Sequence, residues 1–429
     1  MIKKIYQEFN ETVFYEKLDN GLNVILLPKN DYNATYANLK LNFGSINNQI
    51  EINNKIRRIP EGTAHFLEHK MFDKKNYDST DLFDNNGAYS NAFTSFNSTN
   101  YLFSATKNIS KNIKILLDMV QEPYFSKDKI KKEIGIIEQE ILMYASDPNS
   151  KIYFDTISNL FPNTSLSSDI AGTVQSLNEI DEGILYDVYK EFYIPENMTL
   201  TIVGHFELDE MMKNIKNIEI EKPYHKFEQH DAISKTEMEL ENSKNNLIKN
   251  NISDMNLHQN KVAIAYRGNL IQESFLNKTK YELCLEILFN SVFSENSSYL
   301  NDLYNQKVID DSFEFSFEIE PMYSFIIFIN ETTQPTNFIN AIKNLMDSIP
   351  DEIDSLKNDI DLQKKEIIGN RISSMNSLED LSSQLGSIEN GFINIFDEIN
   401  IINEINLNDI KKAFKKFIDS KNFVTNIIK

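Results

Sequence analysis

Gly62-Thr63-Ala64-His65-Phe66-Leu67-Glu68-His69-Lys70 places two imidazoles and a carboxylate within five residues. On a helix, about 100° per residue puts His65 and His69 roughly 40° apart and leaves Glu68 within about 60° of His65, so the three share one side. Two imidazoles at that spacing can bind one zinc ion, and a carboxylate beside them can take a proton from the water the metal activates. The spacing His-x-x-Glu-His is the inverted zincin pattern. Two of the chain's six histidines are spent here. A catalytic zinc also needs a third protein ligand and a position left for water, which directs the search to carboxylates on a downstream helix.

Lys127 to Tyr144 has the charge and spacing of such a helix, and it carries Glu133, Glu138 and Glu140. Glu133 and Glu140 are seven residues apart, which brings them to within about 20° of each other, whereas Glu138 points about 160° away from Glu140. Ile136 and Ile137 fall at the i+3 and i+4 places between the pair, so the face is expected to be largely buried. Buried carboxylates are costly unless paired or metal-bound. About 10 Å along the axis separates Glu133 from Glu140, so only one of them can touch the metal.

A chain of 429 residues exceeds a single ordinary core and predicts two or more domains. The net charge of −21, from 43 basic and 64 acidic residues, argues against a nucleic-acid or anionic-membrane surface. Cys284 is the only cysteine, which excludes an internal disulfide and a thiolate zinc cluster. The first residues lack an apolar h-region, and no run approaches 18 apolar residues. The expectation is a soluble cytoplasmic protein with no membrane insertion.

Upstream of the histidines, Thr12–Tyr15 and Leu22–Leu27 flank an Asp19-Asn20-Gly21 turn as a strand hairpin, and Tyr36 to Phe43 alternates as a third strand. A polar loop then leads to Pro60-Glu61-Gly62. Gly87 to Phe96 and Asn100 to Ala105 form the next antiparallel pair. The downstream half repeats the upstream one. Ile180–Val203 and Ile405–Ile428 match as a helix feeding a strand at an offset of 225, and Lys131–Ile134 matches Lys364–Ile367 at an offset of 233. Ser373 stands where Glu140 would repeat, and no histidine follows His258. The polar stretch from His225 to Asn260 is the candidate linker. The expected division is therefore 1–224 with the metal site, a linker at 225–260, and a homologous second domain at 261–429 without metal. The expected fold class is α+β, with each domain an antiparallel sheet flanked by helices.

Over its whole length the sequence resembles the pitrilysin (M16) family of zinc peptidases, which includes the mitochondrial processing peptidases. The family pattern Gly-x-x-His-x-x-Glu-His, followed some seventy residues on by two glutamates seven apart, is met by Gly62, His65, Glu68, His69, Glu133 and Glu140. The resemblance implies that His65, His69 and Glu140 bind one Zn2+ per chain, that Glu68 is the general base, and that Glu133 is the further glutamate needed for activity. It also implies that Asn91, Ala92, Phe93 and Thr94, in a Gly-x-x-x-Asn-Ala-x-Thr strand, take peptide substrate by strand addition. Enzymes of this family bring an Arg and a Tyr from the second half to the substrate carbonyl. The matching stretch here, Leu303 to Asp311, has no arginine. In bacterial two-subunit members the zinc-bearing chain lacks this pair and a zinc-free relative supplies it. The resemblance thus implies a metallopeptidase acting on peptides in a closed chamber, as the zinc-bearing subunit of a heterodimer or as a homodimer. The rival is a catalytically silent subunit that binds zinc and peptide within a larger complex.

Overall fold

The computed structural model describes residues 1–52, 55–220, 222, 240, 242–270, 275–386 and 391–429. In chain order the first half contains β1 (Ile2–Tyr6), β2 (Glu11–Lys17), β3 (Asn23–Pro28), β4 (Thr35–Leu41), β5 (Gln49–Ile52), β6 (Lys55–Arg58), α1 (Thr63–Phe72), α2 (Ser79–Asn85), β7 (Ala88–Thr94) and β8 (Thr99–Ala105). It continues through α3 (Ile109–Gln121), α4 (Lys127–Ser146), α5 (Pro148–Leu160), α6 (Val174–Leu177), α7 (Glu182–Phe192), β9 (Met198–Gly204) and α8 (Leu208–Ile220). The second half contains β10 (Asn250–Ser253), β11 (Asn260–Gly268), α9 (Phe275–Phe293), α10 (Ser298–Asn305), β12 (Glu314–Ile319) and β13 (Ser324–Thr332). It ends with α11 (Pro335–Glu352), α12 (Lys357–Ser374), α13 (Leu378–Gln384), α14 (Ile395–Glu404), α15 (Leu407–Phe417) and β14 (Ile418–Ile428).

Two compact units result, and they interleave. The first comprises residues 1–141, 168–236 and 373–396; the second comprises 142–167, 237–372 and 397–429. This departs from the sequential division at 224 and 261, because α5 and α13 occur at matching places in the two halves and change sides. In the first unit, Leu381 and Leu385, at and just beyond α13, pack with Ile25, Leu27 and Val203 of the sheet. In the second unit α5 lies against β11 and β14. Side-chain periodicity reports that a helix has an apolar face but not which sheet covers it.

The first unit is built on a seven-stranded sheet in the order β1-β2-β3-β9-β4-β8-β7. Both of its faces are covered. Val24 and Leu26 of β3 point into one core with Phe66, Leu67 and Leu116, while Ile25 and Leu27 point into the other. A strand buried on both faces reads as a continuous apolar run, which is why Val24-Ile25-Leu26-Leu27 shows no alternation. The second unit holds a five-stranded sheet in the order β10-β14-β11-β13-β12. Both sheets are antiparallel except for one pair each, β3 with β9 and β10 with β14. Strand by strand, the five-stranded order repeats β3-β9-β4-β8-β7, including the position and sense of the parallel pair. The repeat seen at offsets of 225 and 233 is therefore a repeat of topology.

Three segments differ from the reading of the sequence. Part of the expected linker, 225–239 and residue 241, lies outside the described residues, but Asn250–Ser253 is strand β10, paired with Thr425–Ile428. Its polar residues give no alternating signal, and its order comes from that long-range pairing. Ile2–Tyr6 pairs with β2, and Gln49–Arg58 contains a small hairpin where a loop was expected. Among the described residues no helix is long and apolar enough to cross a membrane.

Candidate metal centre

Helix α1 owes its position to Phe66, Leu67 and Met71, all fully buried, each worth roughly 1.5–3 kcal/mol of apolar burial. Its N-terminus is fixed by close backbone contact. Gly62 caps the helix at φ +83°, and Gly172, at φ +77°, lies against the 61–62 backbone. The Ser176 hydroxyl donates to the Glu61 carbonyl at 2.9 Å. With its apolar side anchored, α1 turns His65 and His69 toward α4.

On α4 the buried arc is made by Ile130, Ile134, Ile137 and Ile141. Glu133 and Glu140 lie about 60–80° to one flank of it, and Glu138 lies about 80° to the other. The shared flank of Glu133 and Glu140 is thus half-buried rather than largely buried. Ile136, expected on the buried face, sits about 120° from its centre and is 47% exposed, whereas Ile137 is fully buried. Glu138 instead receives a hydrogen bond from Asn178 at 3.3 Å.

His65, His69 and Glu140 converge, with one ligand atom from each lying within 4.8 Å of the others. His65 Nε2 is 3.7 Å from Glu140 Oε1, and His69 Nε2 is 3.8 Å from Oε2. Bonds of about 2.0–2.1 Å in a tetrahedral zinc shell require donors about 3.3–3.5 Å apart, so small side-chain rotations bring this set to a metal. The donor set fits zinc: two imidazoles, one carboxylate and no fourth protein ligand in the cluster. Among the described residues it is the one such cluster.

The electrostatics suit the same reading. Burial lowers His65 to about 4, with the neighbouring His69 charge adding to the effect, so the ring is neutral and able to ligate at pH 7. Burial also pulls His69 down, but its hydrogen bond to Glu133 and the charges of Glu68, Glu133 and Glu140 outweigh this and raise it. Glu133 Oε1 lies 3.0 Å from His69 Nδ1, an arrangement that commits Nδ1 as donor and leaves Nε2 for a metal. Burial raises Glu68, with the Glu140 charge adding, although the Thr94 hydrogen bond opposes the shift.

Asn91, Ala92, Phe93 and Thr94 lie in β7, which borders the sheet with no strand on its outer side among the described residues. Tyr89, Asn91 and Phe93 are exposed, while Ser90, Ala92 and Thr94 are half-buried. The Thr94 hydroxyl donates to Glu68 Oε2 at 2.6 Å, a contact the sequence reading did not anticipate. It also passed over Asp169, a carboxyl raised chiefly by burial and further by the charge of Glu140, and over Lys70, whose side chain is fully buried. The signal for Lys70 was a lysine among Phe66, Leu67 and Met71 on the apolar side of α1.

Residues 24–174 match the model of insulinase, peptidase family M16, and residues 180–368 match that of the peptidase M16 inactive domain. The chain is 34% identical to the uncharacterized zinc protease YmfH of Bacillus subtilis, over 97% of both chains. Its fold superposes on a putative M16-like peptidase from Alicyclobacillus acidocaldarius with a TM-score of 0.87 at 23% identity, over 99% of both chains. It also matches the periplasmic protease PqqL of Escherichia coli with a TM-score of 0.69 at 18% identity, spanning all of this chain and 48% of that one. With the two family models placed in sequence and a full-length relative above 30% identity, this two-unit α+β chain belongs to peptidase family M16.

Proposed function

We propose that the chain is a zinc metallopeptidase that hydrolyses extended peptides, with His65, His69 and Glu140 holding one zinc ion and Glu68 acting as proton acceptor. The observation that carries this is the convergence of three donor atoms beside a buried carboxylate that is not one of them. When bound, zinc supplies a Lewis acid that polarises the scissile carbonyl and lets water lose a proton near neutral pH. Glu68 takes that proton and returns it to the leaving amine, with its carboxylate held in place by the Thr94 hydroxyl. Glu133 fixes the ring of His69. The free edge of β7 pairs with substrate main chain, which orients a peptide while reading little of its sequence.

The enzyme is the zinc-bearing half of a two-chain peptidase. Hydrolysis develops negative charge on the carbonyl oxygen, and one donor placed there is typically worth about 10²–10³ in rate. No second-half arginine is offered to a substrate. Arg267 is buried and bonds to the Leu160 and Leu240 carbonyls and Ser243, and Arg371 bonds to Glu286 and Glu398. Tyr304 donates to Asp311 and Tyr323 to Glu318. That PqqL is about twice as long, with this chain spanning half of it, supports an enclosure built from two such chains. The partner is a zinc-free relative, with a second copy of this chain as the other arrangement. The single buried cysteine fits a cytoplasmic site of action, which cell fractionation tests.

The test is Glu68→Gln, which should retain zinc and bound peptide while losing hydrolysis. Turnover of an unstructured fluorogenic peptide library should be poor with the lone chain and rise when a zinc-free relative is added. Strong turnover by the lone chain, abolished in Glu68→Gln, would leave a self-sufficient peptidase. Full activity in Glu68→Gln would remove that residue from the mechanism. The missing arginine favours one further reading, a silent subunit that binds zinc and peptide, and no turnover with any partner would support it.

A further inference from the structure

We propose that Lys70 is a positioning residue of the metal centre, holding Glu133 in the orientation that lets it direct His69. This rests on the zinc reading above. The Lys70 side chain has no solvent exposure, and its Nζ sits between the Asp73 carboxylate and Glu133 Oε2, the latter at 3.4 Å. Burying an ammonium is expensive, and replacing a buried ion pair with apolar groups is often neutral or stabilising. Stability alone is thus a weak reason for a lysine here, on a helix side otherwise formed by Phe66, Leu67 and Met71.

The geometry supplies a stronger reason. Glu133 divides its two oxygens between two residues that are neighbours in sequence, Oε1 meeting His69 Nδ1 at 3.0 Å and Oε2 meeting Lys70. With one hydrogen bond, the carboxylate could turn about its broad terminal torsion and draw the imidazole with it. The second contact fixes the carboxylate plane, and with it the direction in which His69 Nε2 points. The network extends further, because Lys129 on α4 donates to Asp73 Oδ1 at 2.6 Å and to the Lys74 carbonyl at 2.5 Å. Lys70, Asp73, Lys129 and Glu133 together balance two positive charges against two negative ones. They latch α1, which carries both histidines, to α4, which carries Glu140.

The test uses the full chain and reads metal binding rather than turnover. Zinc affinity is measured by competition with a fluorescent chelator, the coordination environment by the visible spectrum of the cobalt-substituted protein, and folding by thermal unfolding of the metal-free form. Lys70→Met should weaken zinc binding by about 10-fold or more, the scale on which groups supporting a ligand act, and should alter the cobalt bands while leaving metal-free unfolding unmoved or raised. Lys70→Arg should recover most of the affinity. In a Glu133→Gln background, Lys70→Met should have little further effect, because both act through one imidazole. Wild-type affinity in Lys70→Met, or losses that add independently of Glu133→Gln, would overturn the proposal. A loss matched by lowered metal-free stability and not rescued by Lys70→Arg would overturn it too, leaving a structural ion pair. Failure of the wild type to bind zinc would overturn the metal reading and this proposal together.

Discussion

His65 and His69 face the same carboxylate but are held differently. His69 is oriented through Nδ1 by Glu133, while the Nδ1 of His65 is buried with no hydrogen-bond partner among the described residues. His65 must therefore be held by packing, and substitutions among its neighbours should act on it through shape rather than charge. Glu140→Gln should lower zinc affinity at least about 100-fold, more than losses from groups that only support a ligand. Glu138→Gln, on the opposite flank of α4, should leave it unchanged. Metal analysis after dialysis decides this, and equal loss in both variants would contradict the helical phase. In the second unit, Glu282 on α9 is raised to about 7 by burial, with Lys278 opposing and Glu320 and Glu398 adding to the shift. A carboxyl whose folded pKa lies above its unfolded value contributes stability at low pH and loses it as pH rises through the folded value. Glu282→Gln should therefore gain stability over the wild type by about 2 kcal/mol more at pH 8 than at pH 5. Denaturant titrations at the two pH values check it, and a pH-independent difference would contradict it.

The histidine helix is where local sequence carried most. Its two imidazoles, its carboxylate and the glycine that begins it were all legible, because helical phase is a local property. The same arithmetic separated Glu133 and Glu140 from Glu138, but it misplaced the buried arc of α4 by most of a quadrant and so hid the exposure of Ile136. Phase fixes angles between residues, whereas the direction of the core is set by what packs against the helix. Strand β10 and the exchange of α5 with α13 were illegible for a related reason, since each depends on pairing across more than a hundred residues. The glycine at the start of α1 yields its own prediction. A Cβ on Gly62 would overlap the Ala171 carbonyl oxygen, and φ +83° already disfavours a side chain there. Gly62→Ala should cost about 2 kcal/mol or more and reduce zinc occupancy, because it shifts the first turn that carries His65. Thermal unfolding and metal analysis together test this. An unchanged melting temperature would contradict the close approach.

Across the whole molecule, one topology appears twice and one copy holds the candidate metal site. The five-stranded sheet of the second unit repeats strands β3, β9, β4, β8 and β7, but on α12 in the second half the places expected for Glu133 and Glu140 hold Glu366 and Ser373. Near the repeated helix pair, Arg371 on α12 bonds to Glu286 on α9 and to Glu398 on α14, so a guanidinium joins helices there. The second unit is thus expected to be stable without metal. Anomalous diffraction at the zinc edge from crystals of the full chain tests the central claim most directly. The account predicts one peak per chain, about 2.0–2.2 Å from His65 Nε2, His69 Nε2 and a Glu140 carboxylate oxygen, with solvent in the remaining position. A peak elsewhere, a second peak among residues 237–372, a fourth protein ligand closing the shell, or no peak from zinc-loaded protein would contradict it.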